Sequence, residues 1–273
     1  MTMPIETIFV RHGESEGNVA NRLSRQGDSS LFTEEFRARH SSNLRLSARG
    51  RDQAVIAGQW LKREFFNPYG FDRHWVSTYI RAKETAGLLD LPDASWYEDF
   101  NLREREWGEL DTMPDDERRE KFSQAMAMQL TEPFLWRPLN GESIAELCLR
   151  ERIVLDTLHR ECSDKRVVIV CHGEVMWAYR VILERISPDR YKELDVSQDP
   201  FNRIHNCQIL HYTRRNPTNG QIVPYPTWFR SVCPWDLSLS LNQWQEIKRP
   251  KYSNADLLKS VHRIPSILKS PEK

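Results

Sequence analysis

The segment TIFVRHGESEGN (Thr7–Asn18) places charged residues directly after a β-strand pattern. Its first four residues are apolar or β-favouring and predict a buried strand, which ends at Arg11, His12 and Gly13. Ligands of α/β sheets bind in the crevice at the carboxyl ends of the strands. The segment therefore predicts that His12 lies at a ligand-binding edge.

A second segment, VIVCHGE (Val168–Glu174), has the same order, with His172 and Gly173 following an apolar run. A continuous apolar run is typical of a parallel strand that is covered on both faces. The glycine after each histidine lets the backbone turn closely and leaves amides free at a helix start, which favours an anion. A single histidine is most often structural, but the repetition of the arrangement favours a functional pair.

Composition limits the kinds of partner. The chain has 273 residues, with 39 Lys and Arg against 39 Asp and Glu, so it has no overall field that would attract nucleic acid or an acidic membrane. No apolar run is long enough to span a bilayer, and the N-terminus lacks a signal-peptide pattern. Five widely spaced cysteines indicate reduced thiols and a cytoplasmic protein. Anion recognition must therefore be local.

Strand and helix patterns alternate along the chain, which predicts an open, mostly parallel α/β sheet. Helical spacing predicts helices at 47–65 and 80–89, a third after Ser143, and a fourth from Gly173. Ser143 and Glu146 form a predicted capping box. Strands are predicted at 5–10, 73–78, 166–171, 207–213 and 222–229, and the Asn-Pro and Asn-Gly pairs at 216–220 predict a hairpin between the last two.

With these motifs in order, the chain resembles the histidine phosphatase superfamily, which includes the cofactor-dependent phosphoglycerate mutases. The resemblance covers roughly residues 5–213 and implies a three-layer α/β/α fold of the phosphoglycerate mutase type. Several segments match in the order of the family, and they are VRHGESEGN (10–18), LSARGRDQA (46–54), VSTYIRAKETA (76–86), LREREWGEL (102–110), NGES (140–143), VIVCHGE (168–174) and IHNCQILHYT (204–213).

The resemblance implies a role for each matched residue. His12 is the nucleophile that forms a phosphohistidine, and Arg11 and Arg81 are planar cations suited to bidentate binding of phosphate oxygens. His172 donates to the same oxygens and stabilises the developing charge. Glu104, chosen over two neighbouring acids by the family pattern Leu-x-Glu-Arg-x-aromatic-Gly, is the general acid and then the general base.

Three further residues complete the predicted site. Ser15 and Asn18 match loop positions that contact phosphate in the mutases, although Asn18 is equally suited to cap the next turn. Gly173 is predicted to contact the substrate through the backbone. The scheme requires neither metal nor cofactor, and the other histidines lack zinc-like spacing with a cysteine pair.

The resemblance leaves phosphatase, mutase and a catalytically silent binding module as alternatives. The phosphatase is favoured because the loop after the first motif lacks the FTGW type of segment that mutases carry, and the segment after the acid loop is closer to the phosphatase branch. The expected partner is a small phosphorylated substrate. A homodimer is left open, since the C-terminal tail could reach a second copy.

The domain prediction is one α/β domain over residues 1–230 and a C-terminal extension over 231–273, anchored by Trp235 and Trp244 and frayed from about residue 270. Insertions are expected at about 22–45 and 109–140. The first insertion is either a solvated surface loop or a lid that brings arginines to a polyanionic substrate. Its five arginines are Arg22, Arg25, Arg37, Arg39 and Arg45.

Overall fold

A computed structural model describes residues 1–66 and 70–268 of the chain. Its described residues form one seven-stranded sheet flanked by helices. The strands are β1 (Glu6–Arg11), β2 (Arg73–Ser77), β3 (Trp96–Asp99), β4 (Arg166–Cys171), β5 (Ile209–Thr213), β6 (Trp228–Val232) and β7 (Gln245–Glu246).

The sheet has the order β3-β2-β4-β1-β5-β6-β7. Its first four strands are parallel, and β5, β6 and β7 each run antiparallel to the strand before them in this order. The predicted mixed α/β fold with a parallel core is thus confirmed, and the antiparallel strands extend one edge.

Helices cover both faces of the sheet. The α-helices of the described residues are α1 (Glu16–Arg25), α2 (Glu34–Ala38), α3 (Ala48–Phe65), α4 (Ile80–Leu88), α5 (Asp115–Lys121), α6 (Ser123–Thr131), α7 (Ile144–Glu161), α8 (Gly173–Glu184), α9 (Pro188–Asp195) and α10 (Asn254–Val261). Short 3-10 helices lie at Ser41–Asn43, Phe100–Leu102, Gly108–Leu110, Pro200–Asn202 and Leu237–Leu239.

Alternate residues of the central strands enter two separate cores. Phe9 and Ile169 pack with α7 and α8, whereas Ile8 and Val168 pack with α3 and α4 on the opposite face. This alternation follows from the period of two along a strand. It explains why the covered positions of β1 and β4 are apolar, apart from Thr7.

The helix predictions were accurate where a cap residue was visible in the sequence. Ser47 caps α3, and Ser143 forms the predicted capping box with Glu146 at the start of α7. The short strand and helices in residues 96–131 were not predicted. Their burial patterns carry little periodicity, since α5 and α6 bury no residue completely.

The prediction of a strand at residues 222–229 was wrong. In the structure β6 begins at Trp228, and Ile222 makes only an isolated bridge with Arg215. Pro224 and Pro226 lack the backbone N–H that a strand ladder needs, so regular pairing starts after them.

The first part of the C-terminal extension continues the sheet through β7, whereas residues 251–268, which include α10, are exposed. β7 pairs with β6, Trp235 donates its indole N–H to the carbonyl of Asn206 at 2.6 Å, and the Trp244 ring lies 4.7 Å from that of His211. The domain boundaries stay predictions, and the predicted fraying from residue 270 lies outside the described residues. No described helix combines the length and apolarity needed to cross a membrane.

Candidate active site

The two predicted histidines lie side by side because β1 and β4 are adjacent parallel strands. Arg11 is the register partner of Cys171, so His12 and His172 both follow at the carboxyl edge. Their ring centroids are 5.1 Å apart, and both side chains are buried. The topology therefore brings together two residues that are 160 positions apart in the sequence.

Hydrogen bonds define which nitrogen of His12 is available. Nδ1 lies 2.7 Å from the carbonyl oxygen of Gly13 and donates to it, while Nε2 accepts from Nε of Arg81 at 3.2 Å. Burial, followed by the charges of Arg81 and Arg11, lowers the pKa of His12 well below its ordinary value. The ring is thus held neutral with an unshared pair on Nε2.

Both predicted arginines face this pocket, and each is held by a backbone carbonyl. Arg81 donates to the carbonyl of Ser41 at 2.6 Å, and Arg11 donates to that of Ile204 at 2.5 Å. A Cβ on Gly173 would lie 3.3 Å from the Arg11 guanidinium, so the absence of a side chain there lets Arg11 pack closely against the start of α8. Two fixed cations therefore border His12.

Ser77, which was not predicted as a site residue, orients His172. Nε2 of His172 lies 2.7 Å from Oγ of Ser77, which also accepts the amide N–H of Tyr79 at 3.3 Å. Ser77 can therefore donate its proton to Nε2, which leaves the proton of His172 on Nδ1. Nδ1 is buried without a partner among the described residues, and burial lowers the pKa of this ring well below its usual value.

Of the three acids in the loop after β3, the carboxylate of Glu104 reaches the histidines. One of its oxygens and one ring nitrogen each of His12 and His172 all lie within 4.8 Å of one another. Glu106 instead accepts from Tyr79 and Arg103, at 3.1 Å and 3.2 Å. The geometry thus favours Glu104, the acid that the family pattern selects, over Glu106.

The same three ligand atoms are close enough to hold a metal ion. Their surroundings suit an anion better, because Arg11 and Arg81 are permanent cations beside the same pocket and would repel a divalent cation. Of the three groups, only Glu104 has a negative charge that could offset the charge of a metal ion.

The prediction of a free amide at the glycine of the first motif was wrong, whereas the predicted close approach of the backbone is present. The amide of Gly13 is not free, because it donates to Oγ1 of Thr85 at 3.0 Å. A Cβ on Gly13 would lie 2.2 Å from the carbonyl oxygen of Gly50 at the start of α3. This glycine is therefore required for the close packing of two backbone segments that fixes the loop after β1.

Ser15 and Asn18 form a reciprocal capping box at the start of α1, so the capping alternative for Asn18 is correct. The side-chain oxygen of Asn18 also accepts from Asn206 at 3.0 Å. Asn18 lines the cleft above the pocket, whereas Ser15 is buried. Contact of Ser15, Asn18 and Gly173 with a substrate stays a prediction.

The cleft above the histidines has a volume of about 310 Å³. Its walls carry arginines from both insertions, Arg22, Arg25 and Arg118, together with Glu174. Burial raises the pKa of Glu174 to about 7, and the charge of Glu104 adds to this effect. The small, polar cleft is at the lower end of the roughly 300–1,000 Å³ typical of ligand pockets, which indicates a small ligand.

The other three arginines of the first insertion are engaged elsewhere. Arg37 pairs with Glu117 at 2.7 Å, Arg39 with Glu35 at 2.7 Å, and Arg45 with Glu84 at 3.1 Å. The first insertion is therefore divided, with two of its arginines at the cleft and three in surface ion pairs.

Comparison with known proteins gives the family context. Residues 7–216 match the family model described as histidine phosphatase superfamily (branch 1). A 2,3-bisphosphoglycerate-dependent phosphoglycerate mutase of Methylobacterium radiotolerans is 28% identical over 195 residues, which cover 69% of this chain and 84% of the mutase.

Two solved structures share the fold. A mycobacterial glucosyl-3-phosphoglycerate phosphatase has a TM-score of 0.59 at 22% identity, with 76% of this chain and 92% of that chain covered. The YhfR protein of Bacillus stearothermophilus has a TM-score of 0.61 at 21% identity, with 80% and 94% covered.

Proposed function

Since the chain belongs to the histidine phosphatase superfamily (branch 1), we propose that it is a phosphomonoester hydrolase that works through a phosphohistidine on Nε2 of His12. The observation that carries the proposal is the state of His12. Its ring is neutral, and the lone pair of Nε2 lies among two arginines, a second histidine and a carboxylate. This set supplies a nucleophile, cations for the phosphate oxygens and a proton donor.

In the first half-reaction the phosphate of the substrate displaces the hydrogen bond between Arg81 and Nε2. Arg11, Arg81 and the Nδ1–H of His172 bind the equatorial oxygens and stabilise the charge of the transferring group. Nε2 of His12 forms a bond to phosphorus as the ester P–O bond breaks. Glu104, in its protonated form, gives its proton to the leaving oxygen.

In the second half-reaction water attacks the phosphohistidine. Glu104, now a carboxylate, takes a proton from the water as its oxygen bonds to phosphorus and the P–N bond to His12 breaks. Inorganic phosphate leaves, and both Glu104 and the neutral His12 return to their starting states. The hydrogen bond from Nδ1 of His12 to the carbonyl of Gly13 supports this cycle because it keeps the ring proton on Nδ1 and leaves Nε2 free to bond to phosphorus.

The alternative is a phosphoglycerate mutase-type phosphotransfer, and the 28% identity to a named mutase favours it. We favour hydrolysis because the segment after the first motif, which carries the FTGW type of sequence in mutases, here forms α1 and α2, and Arg37 of α2 pairs with Glu117. We further propose that the reaction needs no metal and that the enzyme acts in the cytoplasm, which its five unpaired, buried cysteines support.

Trapping of the intermediate tests the proposal. Protein mixed with a ³²P-labelled aryl phosphate in the presence of a chelator and quenched in base should carry a base-stable, acid-labile phosphate on His12. His12→Asn should abolish the label and lower hydrolysis by about 10⁴-fold or more, as expected when a nucleophile is lost.

The matched control is His205→Asn, which alters a histidine outside the pocket whose ring contacts the carbonyl of Pro200 at 3.0 Å. This variant should label normally. Label on another residue type would refute the nucleophile. Label on His12 that passes to a phosphoglycerate faster than to water would establish the mutase instead.

A further inference from the structure

Three arginines from different segments meet in the outer part of the active-site cleft. Arg22 and Arg25 lie in the second half of α1, and Arg118 lies on α5 in the second insertion. The sequence places Arg118 more than 90 residues from the other two. Packing of α5 against α1 brings them to one wall, through contacts such as the hydrogen bond from the amide of Asp115 to Oγ of Ser24 at 2.7 Å.

These arginines are poorly neutralised. Within residues 1–66 and 70–268, Arg25 has no ion pair, and Nε of Arg118 is buried without a hydrogen-bond partner. Arg118 donates to the neutral amide of Asn21 at 3.3 Å, and Arg22 reaches Glu14 at a long 3.4 Å. Burial, and then the charge of Arg25, lowers the pKa of Arg118. The charges of Asp115 and Asp111 partly offset this effect. The carboxylates that line the cleft are those of Glu104, Asp111 and Glu174.

Neighbouring arginines are paired with acids, so the poor neutralisation is confined to the arginines of the cleft. Arg119, the next residue on α5, pairs with Asp115 at 2.7 Å, and Arg37 pairs with Glu117 at 2.7 Å. Arg118 is partly buried and Arg25 is exposed beside it. Two guanidinium groups brought together in this way repel each other unless an anion joins them. Destabilising arrangements of this kind are typical of binding sites.

We propose that Arg25 and Arg118, with Arg22 beside them, form a second anion subsite, so that the substrate is a small organic phosphate carrying a second anionic group. This inference rests on the proposed function, because it assigns the first phosphate to the His12 pocket. The planar forks of arginine bind phosphoryl and carboxylate groups in the same bidentate manner, so the shared chemistry is an anion with paired oxygens.

The position of α1 limits the distance between the two anions. Arg25 lies seven residues beyond Asn18, which corresponds to about 10 Å along the helix axis. Helical side chains lean toward the N-terminus, so the guanidinium lies closer to the pocket than its Cα does. A spacer of three to six carbons between the anions fits this separation.

Matched substrates test the subsite. Diol monophosphates, ω-hydroxy acid phosphates and diol bisphosphates, each with three- and five-carbon spacers, differ only in the second terminal group, which is hydroxyl, carboxylate or phosphate. At one or both spacer lengths kcat/KM should be at least about tenfold higher for a carboxylate or phosphate terminus than for hydroxyl, as for well-made charged hydrogen bonds. The preferred terminus then identifies the anion.

Variants assign the preference to the arginines. Arg25→Gln combined with Arg118→Gln should lower the ratio of kcat/KM between the dianionic and hydroxyl substrates by about tenfold or more. Arg119→Gln, which removes a paired arginine from the same helix, should leave that ratio as it is. The melting temperature of Arg25→Gln should not fall, because it relieves repulsion.

Binding separates this inference from the proposed function. Calorimetry with pentane-1,5-bisphosphonate and pentylphosphonate, which cannot be hydrolysed, should show tighter binding of the bisphosphonate that the double variant loses. If this holds in a protein that hydrolyses nothing, the subsite stands and the hydrolase proposal fails. If aryl phosphates are hydrolysed but neither assay distinguishes the termini, or the preference survives in the folded double variant, the subsite is refuted.

Discussion

The inner pocket and the outer cleft of this molecule are both rich in arginine, but they are built differently. In the inner pocket Arg81 is buried and Arg11 is partly buried, and each donates to a backbone carbonyl, that of Ser41 for Arg81 and that of Ile204 for Arg11. In the outer cleft Arg25 and Arg118 come from helices of two insertions and lack firm partners. The difference suggests that the inner pocket carries the common chemistry and the outer cleft carries selectivity.

The largest expected effect concerns the acid of the inner pocket. Glu104→Gln keeps the shape of the side chain but cannot transfer a proton. It should lower kcat/KM for alkyl phosphates by about 10²–10⁴-fold, the usual contribution of a general acid, and for aryl phosphates much less because their leaving group needs little protonation. Steady-state kinetics with a series of leaving groups measures the difference.

The matched control is Glu106→Gln, two residues along the same loop. Glu106 is committed to Tyr79 and Arg103, so its replacement should slow both substrate types alike and only slightly. Equal losses for alkyl and aryl phosphates in Glu104→Gln would mean that this residue shapes the pocket without donating a proton. A greater leaving-group dependence at Glu106 would shift the assignment by two residues.

The inner pocket was predictable from the sequence because its residues follow strand ends. An apolar strand pattern fixes where a parallel strand stops, and the topology of α/β sheets then places His12 and His172 at one edge. Ser77 also ends a strand at this edge, so its position carried the same signal. Its hydrogen bond to His172 was not predictable, because it depends on which strands are neighbours.

The outer cleft was not predictable for a different reason. Five arginines in the first insertion have similar sequence surroundings, and the choice of Arg25 over Arg37 depends on the packing of α1 against α5. Arg118 could not be linked to them at all, since helices with no fully buried residue leave no periodic pattern in the sequence. Tertiary contacts between insertions decided both cases.

A smaller effect is expected where the two regions meet. Glu174 lies in the cleft beside Arg11, and its pKa is raised to about 7, so it is neutral below pH 7 and charged above. The new charge should repel an anionic substrate and raise KM by about three- to tenfold between pH 6 and 8, for an interaction of about 1 kcal/mol. Parallel profiles of KM against pH for the wild type and Glu174→Gln measure it.

The comparison with Glu174→Gln cancels the titration of the substrate, because both proteins receive the same phosphate species at each pH. The ratio of the wild-type KM to the Glu174→Gln KM should therefore stay near constant below pH 6 and rise above pH 7. A ratio that does not change with pH would place the charge of Glu174 outside the reach of the substrate.

The smallest effect is expected at Arg37 and Arg39, which were predicted as possible lid residues and lie in surface ion pairs in the structure. Arg37 pairs with Glu117 and Arg39 with Glu35, and all four side chains are at least partly exposed. Exposed pairs contribute about 0–1 kcal/mol, so Arg37→Gln with Arg39→Gln should lower the melting temperature only slightly. The preference for a second anion should equal that of the wild type, which substrates of matched spacer length would show. A loss of that preference as large as the one expected at Arg25 and Arg118 would mean that the first insertion closes over the cleft when substrate binds, and the lid would then replace the fixed cleft wall as the source of selectivity.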